Sequence, residues 1–236
     1  MTDTAQFALP LLQPSQAQKH VTVNEALLRL DAMAELVLQS RSLGTPPGQP
    51  GEGAAYGLPA SPSGAWEGQG GRVALFLNGG WVFIPPRRGW RAWIADEDVS
   101  ALHDGVSWRG GAVALSPSGA GSFFRIREFD HSVAAGSTSV TASTIPANCM
   151  VFAVTARVTQ SLTGSLSTWA LGNADAPERF GAGLSLAAGA FTRGLLAVPM
   201  SFYSAEPLVL TAANGDFSAG QVRIAIHYFE VSLPGE

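Results

Sequence analysis

The stretch Gln221-Val222-Arg223-Ile224-Ala225-Ile226-His227-Tyr228-Phe229-Glu230-Val231 decides the fold class. Val222, Ile224, Ile226 and Tyr228 alternate with Arg223, Ala225, His227 and Phe229. A period of two puts alternate side chains on opposite faces of a strand, whereas a helix repeats every 3.6 residues. Working backwards, residues 208–211, 199–203, 179–186, 166–171, 150–159, 137–142 and 123–129 also read as short strands. Turn residues such as Asn214-Gly215-Asp216 separate them. A series of short strands with regular turn signals predicts a β-sandwich or jelly roll over residues 121–236.

Upstream, residues 44–115 predict a small, Trp-rich antiparallel β module. It holds five of the six tryptophans: Trp66, Trp81, Trp90, Trp93 and Trp108. Residues 72–77 and 81–84 are apolar runs joined by Asn78-Gly79-Gly80, and Asn-Gly accepts the positive φ of a tight hairpin. Residues 90–95 form another strand, and Asp104-Gly105 marks a second turn before Trp108. The segment 44–65 is too rich in glycine and proline for a helix.

Residues 1–43 read as an attachment segment and the chain's helix. Ser15-Gln16-Ala17-Gln18 and Thr22-Val23-Asn24-Glu25 both match a capping box. Residues 25–43 lack glycine and proline and are rich in helix formers, and Gly44 follows as a stop. Val23, Leu27, Leu30, Ala34 and Val37 fall on a 4-3-4-3 spacing, the seam of a coiled coil. Two readings fit: a helix lying on a β domain, or a short bundle around a three-fold axis. The architecture expected is thus mainly β with an N-terminal α-helix, as a homotrimer.

Composition narrows the function. Charged residues make up 14% of the 236, against about 25% in an average chain. The net charge of −4 argues against nucleic acid, which needs a basic surface to displace counterions. Only seven charges occur in residues 132–222: Arg157, Asp175, Glu178, Arg179, Arg193, Glu206 and Asp216. That stretch is either covered by partner chains or presents an uncharged polar surface. A single cysteine, Cys149, excludes an internal disulfide framework. No apolar run reaches the roughly 18 residues of a membrane span. The N-terminus lacks the basic and apolar regions of a signal peptide, so the expectation is synthesis in the cytoplasm and release by lysis.

No pattern of catalytic chemistry stands out, and the expectation is a non-enzyme without cofactor or metal. There is no G-x-S-x-G elbow, and Cys149 precedes an apolar strand and reads as a buried thiol. His20, His103, His131 and His227 lack metal-ligand spacing. Asp96-Glu97-Asp98 reads as a solvated loop, with a weak cation site or an acid/base pair for glycan cleavage as alternatives. The tryptophans are the chemical signal left. An exposed indole can stack on the C–H face of a sugar; a buried one is core. Trp66, Trp81, Trp90, Trp93 and Trp108 are therefore the carbohydrate-binding candidates.

The block Leu9-Pro10-Leu11-Leu12-Gln13-Pro14-Ser15-Gln16-Ala17-Gln18-Lys19-His20-Val21-Thr22-Val23-Asn24-Glu25-Ala26-Leu27 resembles the opening of a family catalogued as a domain of unknown function. That family occurs in alphaproteobacterial prophages and in gene transfer agents, the phage-like particles of Rhodobacter and its relatives. The resemblance continues through Thr45-Pro46-Pro47, Gly64-Ala65-Trp66, Gly79-Gly80-Trp81, Gly89-Trp90 and Trp93-Ile94-Ala95-Asp96-Glu97-Asp98, covering about residues 7–110. Residues 121–236 resemble, more loosely, the C-terminal β domains of phage fibres. The resemblance implies a trimeric fibre or spike subunit of an extracellular phage-like particle. Its partners would be its own copies, other particle proteins and a cell-surface polysaccharide. It brings no catalytic residues. A depolymerase of the same polysaccharide and a passive adaptor are the alternatives.

Overall fold

The computed structural model describes residues 3–12 and 19–235, and the chain is mainly β with one N-terminal helix. It divides into two compact units, residues 1–115 and 116–236.

In the first unit, helix α1 (Lys19–Ala34) precedes a seven-stranded sheet. Its strands are β1 (Val37–Leu38), β2 (Ala55–Gly57), β3 (Val73–Leu77), β4 (Gly80–Ile84), β5 (Arg91–Ile94), β6 (Val99–His103) and β7 (Trp108–Gly110). A further strand, β8 (Ala112–Leu115), follows. The spatial order is β4-β3-β2-β1-β5-β6-β7. The two-residue β1 lies at its centre, parallel to both β2 and β5. The β3–β4 hairpin closes through Asn78 (φ 52°) and Gly79 (φ 76°), both left-handed, as the Asn-Gly signal requires.

The helix differs from the sequence expectation. It begins at Lys19 and ends at Ala34 instead of running over 25–43. Thr22 therefore lies inside it and is no cap; Asn24 instead pins the lead-in, accepting from the Leu12 amide and donating to the Leu12 carbonyl. The other capping box, residues 15–18, lies outside the described residues. Beyond Ala34 the burial alternates, with Leu36, Leu38 and Ser40 inside. A period of two had been hidden in a run of good helix formers, and tertiary pairing overrides local propensity there. The helix buries Leu28 and Ala32 against Leu36, Leu38, Leu75 and Ile94. A separate cluster joins Tyr56, Leu58, Trp66 and Ala74, with Trp81 and Phe83 packed against it.

The second unit holds two sheets around one apolar core. Its strands are β9 (Gly121–Ser132), β10 (Thr138–Ile145), β11 (Cys149–Gly164), β12 (Thr168–Gly172), β13 (Gly181–Leu184), β14 (Phe191–Thr192), β15 (Leu195–Phe202), β16 (Glu206–Ala213) and β17 (Phe217–Val231). One sheet runs β10-β16-β12-β13. The other runs β14-β11-β17-β9, with β15 also pairing β11. Every strand expected from the sequence has its counterpart, and β14 is additional. Val222, Ile224, Ile226 and Tyr228 point into the core, as their alternation requires, opposite Leu208, Leu210, Trp169 and Leu171. The Trp169 indole donates to the Ser185 carbonyl at 3.0 Å, so its one polar atom is satisfied inside the core.

Candidate functional site

The five candidate tryptophans fall into different environments. Trp66 is fully buried, and Trp108 is a buried core residue that shows only an edge, in the cleft it lines with Arg41, Glu97 and His103. Trp81 is half-buried, packed edge-on to Trp66 at 5.1 Å and to Phe76 at 5.0 Å. Trp90 is half-buried against the first unit's core. Trp93 alone of the five is exposed, at 44%. The structure therefore brings no pair of exposed indoles together.

Seam residues fare differently. Val23 and Ala34 are exposed, Leu30 is 63% exposed, and Leu27 is half-buried. Val37 is in β1, paired with Trp93, so the helical seam ends at Ala34. The helix thus turns one apolar side, Leu28 and Ala32, into its own unit and carries Val23 and Leu30 on its open side.

Glu97, Asp104, His103, His131 and His227 are engaged in hydrogen bonds within the chain. Glu97 accepts two hydrogen bonds from the Arg41 guanidinium, at 2.7 and 2.8 Å, and Arg41 also donates to the Trp108 carbonyl. These residues, with His103, line a cleft of about 590 Å³ in the first unit. Asp96 and Asp98 are exposed on the β5–β6 loop. Asp104 accepts the amides of Val106 and Ser107 and closes the β6–β7 turn. His103 is buried, and burial pushes its pKa down; its Nδ1 accepts the Gly105 amide at 3.2 Å. His131 and His227 are likewise lowered by burial, and they meet the Ser139 and Thr155 hydroxyls. Burial pushes the Cys149 thiol up to about 11, helped by Glu230, so it stays a thiol at neutral pH. Among the described residues, no group of three or more His, Cys, Asp or Glu is placed to hold a metal ion. No helix among them is long and apolar enough to cross a membrane.

The outer face of the β11–β17–β9 sheet is the distinctive surface. Register places Phe124 beside Phe229, Ile126 beside His227, and Met150 beside Phe229 on the other flank. A bulge on β11 brings Phe152 onto this face, 6.0 Å from Phe124, and Phe124 meets Phe229 at 5.3 Å. Phe124 is 55% exposed and Ile126 66%. Met150, Phe229, Tyr203 and Val231 line an adjoining apolar hollow of about 280 Å³. Further along the same strands the face becomes charged: one row reads Phe191, Arg157, Arg223 and Asp130. Sequence reading missed this surface. Its available signal was Arg157 within an apolar strand and the alternation of Phe191 and Arg193, but the row itself exists only through long-range register.

Residues 23–109 match a family model described as a protein of unknown function, DUF2793. No curated protein matches the chain. Among solved structures, a chain titled "Cyanophage Pam1 capsid asymmetric unit" is similar, at 17% identity and a TM-score of 0.32, over 47% of this chain and 84% of that one.

Proposed function

We propose that this protein is a non-enzymatic fibre or spike subunit of a phage-like particle, that it works as a homotrimer, and that it attaches the particle to a polysaccharide on the recipient cell. In this reading the second unit is a jelly-roll module at the receptor end, and residues 1–43 face the other particle proteins. The observation that carries it is the apolar half of the outer sheet face: Phe124, Ile126, Met150, Phe152 and Phe229. A contiguous exposed apolar patch on a soluble protein marks an interaction surface. The open side of the helix, with Val23 and Leu30, supports the same conclusion. The low charge of residues 132–222 fits chains that pack on one another. The resemblance of residues 7–110 to proteins of prophages and gene transfer agents supplies the particle.

Light scattering tied to mass tests assembly: the expected species is three times the 24.5 kDa chain. A monomer at the highest soluble concentration overturns the trimer. Attachment is tested by binding of the labelled chain to cells with and without capsule, with loss expected on the bare cells. Release of reducing ends from purified capsule would replace attachment by cleavage.

A further inference from the structure

We propose that the cleft between Phe191, Arg157 and Arg193 binds the carboxylate of an acidic sugar residue in a polysaccharide. This deepens the attachment reading above and rests on it for the source of the polymer.

The cleft follows from the sheet register. Arg157 pairs with Phe191 on one side and with Arg223 on the other, so all three side chains rise from one face in one row. In the adjoining row Thr155 pairs with Ala225, and Ala225 with Glu128. Thr155 and Ala225 are short, so the second row is a floor and the first row a wall. Arg193, two residues beyond Phe191, also lines the cleft. The open cleft has a volume of about 420 Å³, within the range of pockets that hold small ligands.

The arginines are not equivalent. Arg223 donates from Nε and Nη2 to the two Asp130 carboxylate oxygens, at 2.8 and 2.9 Å, with Glu128 at 4.0 Å, so its charge is already matched. Among the described residues, no carboxylate pairs with Arg157 or Arg193. Arg157 donates one bond to the Gly189 carbonyl and keeps other donors for a ligand. The guanidinium carbons of Arg157 and Arg193 each lie 5.6 Å from the centre of the Phe191 ring. Cation–π contact orients these planar groups before a ligand arrives, and a guanidinium matches a carboxylate through two parallel hydrogen bonds. Phe191 is 56% exposed and leaves apolar surface beside them for the C–H face of a sugar ring.

The supporting backbone is fixed. Between Phe191 and Arg193, the Thr192 hydroxyl donates to the Phe180 carbonyl at 2.9 Å. The Val154 amide donates to the Gly194 carbonyl at 3.1 Å. Gly194 has φ +38°, and a Cβ there would sit 2.1 Å from the Val154 carbonyl oxygen, so only glycine lets this segment lie against β11. Nearby Glu128 and Asp130, on a chain of net charge −4, oppose densely charged polyanions. The site therefore selects a spaced carboxylate, as in a uronate, over a heavily sulfated chain.

The test uses the full chain, with trigalacturonate as probe and neutral galactotriose as control, read by calorimetry. Trigalacturonate is expected to bind with a Kd of about 1 mM or below. Galactotriose, Arg157→Gln and Arg193→Gln should each cost about tenfold or more, the factor of one charge-assisted hydrogen bond. Both arginines are exposed, so an unchanged thermal midpoint confirms that the variants fold. Equal binding of galactotriose, equal binding by Arg193→Gln, tighter binding of dextran sulfate, or no binding of trigalacturonate overturns the site. Encapsulated cells separate the two readings. Wild type attaching no better than Arg193→Gln, but well to cells, removes the cleft and leaves attachment standing. Arginine-dependent trigalacturonate binding without cell binding removes attachment and leaves the cleft.

Discussion

Asp31 shows what one side chain can do for an irregular segment. It is buried on α1, where burial alone would raise its pKa, yet its carboxyl is held below the usual range. Three donors outweigh the burial: the Thr4 hydroxyl at 2.6 Å and the Gln6 and Phe7 amides at 2.8 Å. Asp31→Ala leaves the buried Thr4 hydroxyl and the amides of the exposed residues Gln6 and Phe7 without their acceptor, and should cost about 1–3 kcal/mol in chemical denaturation followed by tryptophan fluorescence, the cost of one stranded buried group. A loss below about 0.5 kcal/mol, the scale of a plain surface change, would show that the lead-in is not anchored there. Histidines push stability in one direction. His103, His131 and His227 all have pKa values lowered by burial from an ordinary 6.5. Below about pH 6.5 the unfolded chain therefore binds more protons than the folded one, and stability falls as the pH drops. Asp31, Asp104 and Asp130, whose pKa values are lowered, add their losses only at lower pH, below the ordinary carboxylate value of 3.8. The thermal midpoint should thus decline between pH 7 and 5, and His103→Phe should flatten that decline. A flat midpoint over that interval would contradict it.

At the scale of elements, β1 and α1 carry opposite lessons. Leu38 on β1 is fully buried at the centre of the sheet, paired with Ala55 and Ile94. Leu38→Ala should cost about 2–5 kcal/mol, the range for core leucines. Leu30→Ala on the open side of α1 should leave the stability of an isolated chain nearly unchanged while reducing the assembled mass. A Leu30→Ala chain that unfolds readily would place that side chain in the chain's own core instead. The Asn78–Gly79 hairpin was legible because its turn chemistry is local: two left-handed residues need Asn and Gly wherever they occur. The same holds for β17, whose alternation is complete within eleven residues. β1 was illegible because it is two residues long and its partners are Ala55, Trp93 and Ile94. Nothing in Leu36-Val37-Leu38 announces those partners, and its neighbours favour a helix. The tryptophans divide for a similar reason. Composition marks them as important, but only packing decides that Trp66 and Trp108 are core and that Trp93 is exposed.

For the whole molecule, the outer face of the β11–β17–β9 sheet sorts its side chains by position along the strands, apolar at one end and arginine-bearing at the other. On β9 and β17 both sets obey one alternation, and on β11 the bulge at Phe152 shifts the phase between them, so the residues of this face are spared from building the core while their neighbours in sequence build it. Val151, Val154, Ile224 and Ile226 hold the unit together, and Phe124, Ile126 and Phe229 do not share that task. Substituting Phe124 and Ile126 together by serine therefore separates assembly from folding. Both side chains are more than half exposed, so the thermal midpoint at high dilution should move little. The mass by light scattering should fall from the assembled species to the single chain, because burial of such side chains against a partner contributes roughly 1.5–3 kcal/mol each. Trigalacturonate binding should survive in the same variant, since Arg157 and Arg193 sit at the charged end. If the double variant keeps its full mass, the subunits meet through another surface, with the open side of α1 next to be tested by Val23→Ser and Leu30→Ser.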